Sequence, residues 1–241
     1  MPDLSDVPAR TWRAVLLHVE QRLLDGDLGP GDRLPSERDL AAELGVGRSS
    51  VREAIRVLEV MGLIRTSTGS GPQAGAIVIA APGGGLSALL RLQVAAQGFP
   101  IADVVGTRLI LEQAVVAALA TGRRDTATAH RILDAMDAEL DAADFLALDA
   151  QLHLALAEAS GNTVVAAMMT GLRDSIESYV LSGSAGIRDW PRMADRLRAE
   201  HRDLVRAIDD GRADAAAALV RDHITGYYAA TDLARAGDAP A

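Results

Sequence analysis

The chain contains no cysteine and no lysine among its 241 residues. Without cysteine there are no disulfides and no thiolate metal sites, so any metal must be held by nitrogen and oxygen. Without lysine, all 24 cations are arginines. A GC-rich genome explains that as readily as phosphate binding does, so it carries no functional weight. No run of 18 or more apolar residues occurs, so no transmembrane helix is expected. The opening MPDLSDVPARTW is acidic and has no apolar h-region, so it does not read as a secretory signal. The expectation is a soluble, cytoplasmic protein of one or two domains with no membrane partner.

The acid is unevenly spread. The formal net charge is −9. Residues 1–80 hold 9 Arg and 11 Asp+Glu, a net of −2, whereas residues 81–241 hold 15 Arg and 22 Asp+Glu, a net of −7. Residues 48–65 hold four Arg against Glu53 and Glu59, a local net of +2. Nucleic-acid affinity follows local basic surface rather than overall charge.

Residues 31–71 organise the first part of the chain. Ser36 is suited to cap a helix, and Glu37 and Asp39 sit where the helix dipole favours acids. Leu40 and Leu44 follow, and Gly45 suits a left-handed helix end. A second helix is expected from about Arg48 to Met61. Val51, Ile55 and Leu58 form its apolar stripe. Arg48, Arg52 and Arg56 recur four apart on another face. Like charges at that spacing repel by a few tenths of a kcal/mol per pair unless an anion neutralises them. A strand from Leu63, a Gly-rich hairpin tip TSTGSGPQAG and a returning AIVIA complete a wing. A helix over Thr11–Asp25 and the turn-rich GDLGPGDRLPS precede the motif. The pattern is a winged helix-turn-helix, whose second helix enters the major groove.

The run RLPSERDLAAELGVGRSSVREAIRVLEVMGLI resembles the DNA-binding domain of the GntR family of bacterial transcription regulators. One departure is Gly47, where that family usually has Ser as N-cap; Gly there loses only a few tenths of a kcal/mol. The resemblance implies that Arg38, Arg48 and Arg52 contact bases and phosphates. Ser49 and Ser50 would donate to phosphates, and Thr68 and Gly69 at the wing tip would approach the minor groove. The competing reading of Arg38 is a surface ion pair with a nearby acid.

APGGG at 81–85 reads as a linker, dividing a DNA-binding domain (1–80) from an all-α domain (86–241). Beyond it, helices are expected at about 86–97, 101–121, 126–141, 144–159, 163–182, 190–210 and 213–235, forming a bundle. The fold class is therefore mainly α, and the tail RAGDAPA reads as disordered.

Ionisable residues interrupt several apolar stripes. Asp149 and His153 lie four apart beside the stripe Phe145, Leu148, Leu152, Leu156, so both project together. His201 interrupts Met193, Leu197, Leu204, Ile208. His223 interrupts Ala216, Leu219, Val220, Tyr227. Arg108 interrupts Val104, Leu111, Val115, Leu119. A lone buried histidine is usually one that hydrogen-bonds a neighbour, but four ionisable groups facing one core would cost several kcal/mol unpaired. One ion could satisfy Asp149, His153, His201 and His223 together. Zn²⁺ suits the set best, with Ni²⁺, Mn²⁺ or Fe²⁺ as alternatives. Arg108 still needs an anion.

This part of the chain resembles the FCD ligand-binding domain of the FadR subfamily within GntR, which has an Asp-x-x-x-His pair followed by two later histidines. The ASGN at 159–162 also matches, while Leu152 stands where that family often has Phe. In RLILE, Arg108 to Glu112, the resemblance implies that Arg108 faces a ligand carboxylate. The implied protein is a homodimeric repressor on a palindromic operator in double-stranded DNA, controlled by a small organic acid. Three alternatives stay open: an ion that is itself the signal, a metal-free pocket whose histidines bind the acid, and a helical-bundle metalloenzyme. His18 and His130 read as surface or packing residues. The mixed Arg/Asp/Glu face between Arg188 and Arg206 reads as solvated, and Tyr227 and Tyr228 as core or interface.

Overall fold

The computed structural model describes residues 7–67, 75–79, 83–96, 99–122 and 125–231. The expected wing-tip contacts Thr68 and Gly69, and the expected disordered tail, lie outside the described residues. The chain divides into two compact units, Met1–Leu86 and Ser87–Ala241.

The first unit contains helices α1 (Val7–Leu24), α2 (Glu37–Leu44) and α3 (Arg48–Val60), then strands β1 (Ile64–Ser67) and β2 (Gly75–Val78). Ser36 caps α2 by accepting from the Asp39 N–H, and Gly45 ends it at φ 63°, donating to the Ala41 carbonyl. That left-handed step makes the tight turn into α3, and glycine takes it without a Cβ penalty. Gly47 caps α3 without a side-chain hydrogen bond. β1 and β2 pair antiparallel, with Ile64 opposite Val78. The connector before α2 joins them: Leu34 N–H donates to Ala76 O at 2.9 Å, and Val78 N–H to Asp32 O at 2.8 Å. Only Gly31 to Leu34 of the turn-rich GDLGPGDRLPS lies along β2, bridging at Arg33 and Ile77 beside the two-stranded sheet. Val15, Leu40, Val51, Ile55 and Ile64 meet in the core of this unit.

The remaining helices are α4 (Gly83–Ala95), α5 (Ile101–Thr121), α6 (Ala127–Met136), α7 (Ala142–Ala159), α8 (Thr163–Ser184), α9 (Trp190–Asp209) and α10 (Ala213–Ala230). α5 packs along α10, and α7 along α8. The core joins Val115, Leu119, Phe145, Leu152, Leu197 and Ile208, with Phe145 edge-on to Trp190 at 5.7 Å. By length and composition α5 could cross a membrane. Its packing against α10 and its buried Arg108 and Glu112 are those of a core helix.

Four boundaries differ from the sequence reading by three residues or more, the first being α1, which begins at Val7 rather than Thr11. α4 begins at Gly83, inside the expected linker. There Gly85 approaches the Met61 backbone so closely that a Cβ would collide with it. α6 ends at Met136, not 141, because Arg198 from α9 donates to the carbonyls of Met136 (2.7 Å) and Ala138 (3.1 Å). α10 ends at Ala230 rather than 235.

Candidate metal centre and nucleic-acid interface

On the first unit, α3 turns Val51, Ala54, Ile55 and Leu58 inward and leaves Arg48, Ser49, Arg52 and Arg56 exposed. Arg52 is held in place: its Nε and Nη2 donate to the two carboxylate oxygens of Glu37 at 3.2 and 2.8 Å. That bridge holds the Glu37 carboxyl below its ordinary range. Ser50 is partly turned inward, its hydroxyl 2.8 Å from that of Thr11. Arg38 is exposed and lies 3.3 Å from Asp39, a surface ion pair. The wing is tied to α3 through Glu59, which accepts from the Thr66 N–H at 2.9 Å and from its hydroxyl at 2.5 Å. An exposed helix with arginines at one-turn spacing, braced by a second helix and a hairpin, matches the shape and charge of a major-groove reader.

In the second unit the four residues singled out from the apolar stripes come together. Asp149 and His153 project from α7, His201 from α9 and His223 from α10, and all four are buried. His153 Nε2 and His201 Nε2 lie 3.3 and 3.2 Å from His223 Nε2. Asp149 Oδ1 lies 3.0 Å from His201 Nε2, 3.6 Å from His223 Nε2 and 3.9 Å from His153 Nε2. Ligands about 2.1 Å from one ion stand roughly 3.4 Å apart in a tetrahedron and roughly 3.0 Å apart at adjacent octahedral corners. The observed spacings bracket both.

The protons make the same point. Glu112 Oε2 lies 2.5 Å from His153 Nδ1, too close without a shared proton. Glu200 Oε2 lies 2.9 Å from His223 Nδ1. With the Nδ1 protons directed to carboxylates, two Nε2 lone pairs face each other, and a positive charge must lie between them. A proton on His223 is one solution. Burial pulls this imidazole down, but its contacts with Asp149 and Glu200 outweigh that and push it up to about 9. Burial and the neighbouring His223 charge take His201 down to about 4. Burial would raise the Asp149 carboxyl, yet hydrogen bonds from His201 and His223 hold it well below the carboxylate range. A divalent cation is the other solution, and three imidazoles with one carboxylate are its ordinary donors.

The structure supplies the anion that Arg108 lacked in the sequence. Arg108 Nε donates to Glu112 Oε1 at 2.5 Å, one turn along α5, and both are buried. Burial alone would raise the Glu112 carboxyl, but Arg108 and His153 bring it to about 2. Glu112 was visible only as the end of the RLILE segment. The sequence places Glu200 on the solvated face of α9, whereas in the structure it reaches His223. The i,i+4 spacing of Arg108 to Glu112 and of Arg196 to Glu200 was the available signal. Two cavities of about 10 Å³ flank the cluster, one lined by Arg108, His153 and Met169, the other by Arg108, Asp149 and Tyr227. Each has room for about one water. His18 and His130 pair with Glu43 (3.3 Å) and Asp209 (2.9 Å). Tyr227 and Tyr228 are buried, and Tyr227 donates to the Val180 carbonyl at 2.7 Å.

Comparison with known proteins agrees with both units. Residues 11–72 match the bacterial regulatory proteins of the gntR family, and residues 103–226 match the FCD domain. The HTH-type transcriptional repressor NanR of Citrobacter rodentium is 30% identical over 228 residues, covering 88% of this chain and 81% of that one. The Glc operon transcriptional activator of Escherichia coli K12 is 27% identical over 214 residues, covering 86% and 83%. A solved structure, Streptococcus agalactiae GntR, superposes with a TM-score of 0.59 at 25% identity, over 90% of this chain and 97% of that one. The chain is a DNA-binding transcription regulator rather than an enzyme, and it belongs to the GntR family, with an FCD ligand-binding domain C-terminal to its helix-turn-helix.

Proposed function

We propose that this regulator is a homodimeric, cytoplasmic repressor whose affinity for a palindromic operator falls when a small carboxylate binds at a metal held by Asp149, His153, His201 and His223. Zn²⁺ is the favoured ion. The observation that carries the reading is the convergence of three imidazole Nε2 atoms and one carboxylate oxygen beside the buried Arg108 guanidinium. A bound cation leaves positions for carboxylate oxygens, and Arg108 can turn part of its fork to the same group. Arg38, Arg48 and Arg52 take bases and phosphates, Ser49 and Ser50 donate to phosphates, and Thr68 and Gly69 belong to the wing. Two protomers present two such helices to successive major grooves. The NanR relative is a transcriptional repressor.

Cavities of about 10 Å³ cannot hold an organic acid, so the wall formed by α5, α8 and α10 has to open for it. An effector that binds only the opened form shifts the equilibrium by its differential affinity. Coupling of about 1–3 kcal/mol then loosens the operator about 5–150-fold. The test is a thermal-shift screen of organic acids on zinc-loaded protein, followed by gel shifts on the protein's own promoter. An acid that binds tightly and leaves operator affinity unchanged refutes the coupling, and activation of transcription by the bound protein refutes repression.

The small size of these cavities favours one second reading, in which the ion itself is the signal. Operator binding titrated with EDTA and Zn²⁺ in the absence of any acid distinguishes the two. A metal-sensing protein switches in that titration, whereas an acid-sensing one switches only when the acid is added.

A further inference from the structure

Two of the three imidazoles in the cluster have a carboxylate behind them, and each carboxylate has an arginine behind it. On α5, Arg108 Nε donates to Glu112 Oε1, and Glu112 Oε2 meets His153 Nδ1, both at 2.5 Å. On α9, Arg196 Nε donates to Glu200 Oε1 at 2.6 Å, and Glu200 Oε2 meets His223 Nδ1 at 2.9 Å. The two arms repeat one device, an Arg–Glu pair one helical turn apart ending on a ring that belongs to another helix. The third imidazole is built differently. His201 is fully buried, and its Nδ1 meets neither a hydrogen-bond partner nor a carboxylate among the described residues, whereas His153 Nδ1 meets the Glu112 carboxylate as an ion-pair contact rather than in full hydrogen-bond geometry.

We propose that Glu112 and Glu200 are positioning residues of the metal centre. Each accepts the Nδ1 proton of its histidine and so fixes the tautomer that leaves the Nε2 lone pair free to ligate an ion in the cluster with Asp149 Oδ1. A carboxylate behind an imidazole also stops the ring from turning and makes its other nitrogen more basic. The arginines keep the carboxylates charged and aimed. The assignment rests on the reading of Asp149, His153, His201 and His223 as ligands.

The arms differ in what can replace them. The side chains of Arg108 and Glu112 are 3% and 4% exposed, so water cannot take over their contacts. Those of Arg196 and Glu200 are 40% and 27% exposed, so water reaches that arm. Loss of Glu112 is therefore the heavier loss. His201 serves as an internal control, a ligand in the same centre with no carboxylate at its back.

The experiment compares full-length wild type, Glu200→Gln and Glu112→Gln. Zn²⁺ affinity is measured by competition with a chromophoric chelator. The protons on each imidazole are read by long-range ¹H–¹⁵N NMR of the zinc-loaded proteins. Glu200→Gln keeps the side-chain volume at a partly exposed position, so it tests the proposal even if Glu112→Gln fails to fold. Removing the carboxylate behind a metal-binding imidazole typically weakens metal binding about 10–100-fold. We expect Glu200→Gln near the lower end and Glu112→Gln near the upper. In Glu200→Gln, Nδ1–H exchange should accelerate at His223 and stay unchanged at His153 and His201, a pattern that general loosening would not give. A wild type that takes up no Zn²⁺ overturns the metal reading and this assignment with it. A wild type that binds Zn²⁺, with variants that bind within twofold of it, overturns the positioning role alone.

Discussion

Zinc binding to the metal-free protein should release close to one proton at pH 7.5, and that proton should come from His223. Asp149 and Glu200 overcome burial to push this imidazole up to about 9. At pH 7.5 such a group is almost fully protonated, whereas an ordinary histidine near 6.5 is about nine-tenths neutral. Ligation through Nε2 must displace the proton. The apparent zinc Kd should therefore weaken about tenfold per pH unit below 9, or roughly thirtyfold from pH 8 to 6.5, worth about 2 kcal/mol. His201, already lowered to about 4, adds nothing to this slope. Calorimetric titrations in two buffers of different ionisation enthalpy count the proton directly. The same shift sets the stability of the metal-free fold. A pKa raised from 6.5 to about 9 stabilises the folded state by about 3 kcal/mol. That stabilisation is complete below pH 6.5 and is lost as pH rises through 9. His201 works in the opposite direction: its neutral form is the folded one, so stability falls as pH drops from 6.5 towards 4. The melting temperature of metal-free protein should peak between those limits, and zinc should remove the alkaline fall. Zero net proton release at pH 7.5, or a Kd flat between pH 7 and 8.5, would refute the argument.

Arg48→Ala should abolish operator binding in gel shifts while leaving the melting temperature unchanged, because the side chain is exposed. Glu37→Gln releases Arg52 from its two-pronged bridge. Non-specific DNA binding should tighten and its log–log salt slope should steepen by about one, so an unchanged slope would show that Arg52 does not reach phosphate. Gly45→Ala places a Cβ at φ 63°, and chemical denaturation should register a loss of about 1 kcal/mol. His201→Ala should weaken zinc and effector binding while operator binding survives; equal loss of both would assign His201 to the fold instead.

The helix-turn-helix was legible because its signals are local. Ser36, Gly45 and the stripe of Val51, Ile55 and Leu58 act within a few residues, and each appears in the structure where the spacing put it. The boundaries that moved depend on distant partners. Composition marks Gly83–Gly85 as a linker, but the close approach of Gly85 to Met61 is a tertiary fact. Nothing near Met136 announces a helix end either, because the carbonyls released there are satisfied by Arg198, some 60 residues later.

The same division runs through the candidate centre. Its four candidate ligands were visible because a polar residue in an apolar stripe is a local contradiction that demands a partner. Glu200 carried no such contradiction. It sits next to His201 in sequence, about 100° further round α9, where the buried stripe gives way to the charged face. Its exposed neighbour Arg196 made it look solvated, and the arginine does hold one oxygen at that edge. The other oxygen passes over the edge to a histidine on α10. A residue on such a border can be read from sequence only when the helix it faces is known. The carboxylates behind the candidate ligands are therefore harder to see than the candidates themselves, although the proposed aim of His153 and His223 depends on them.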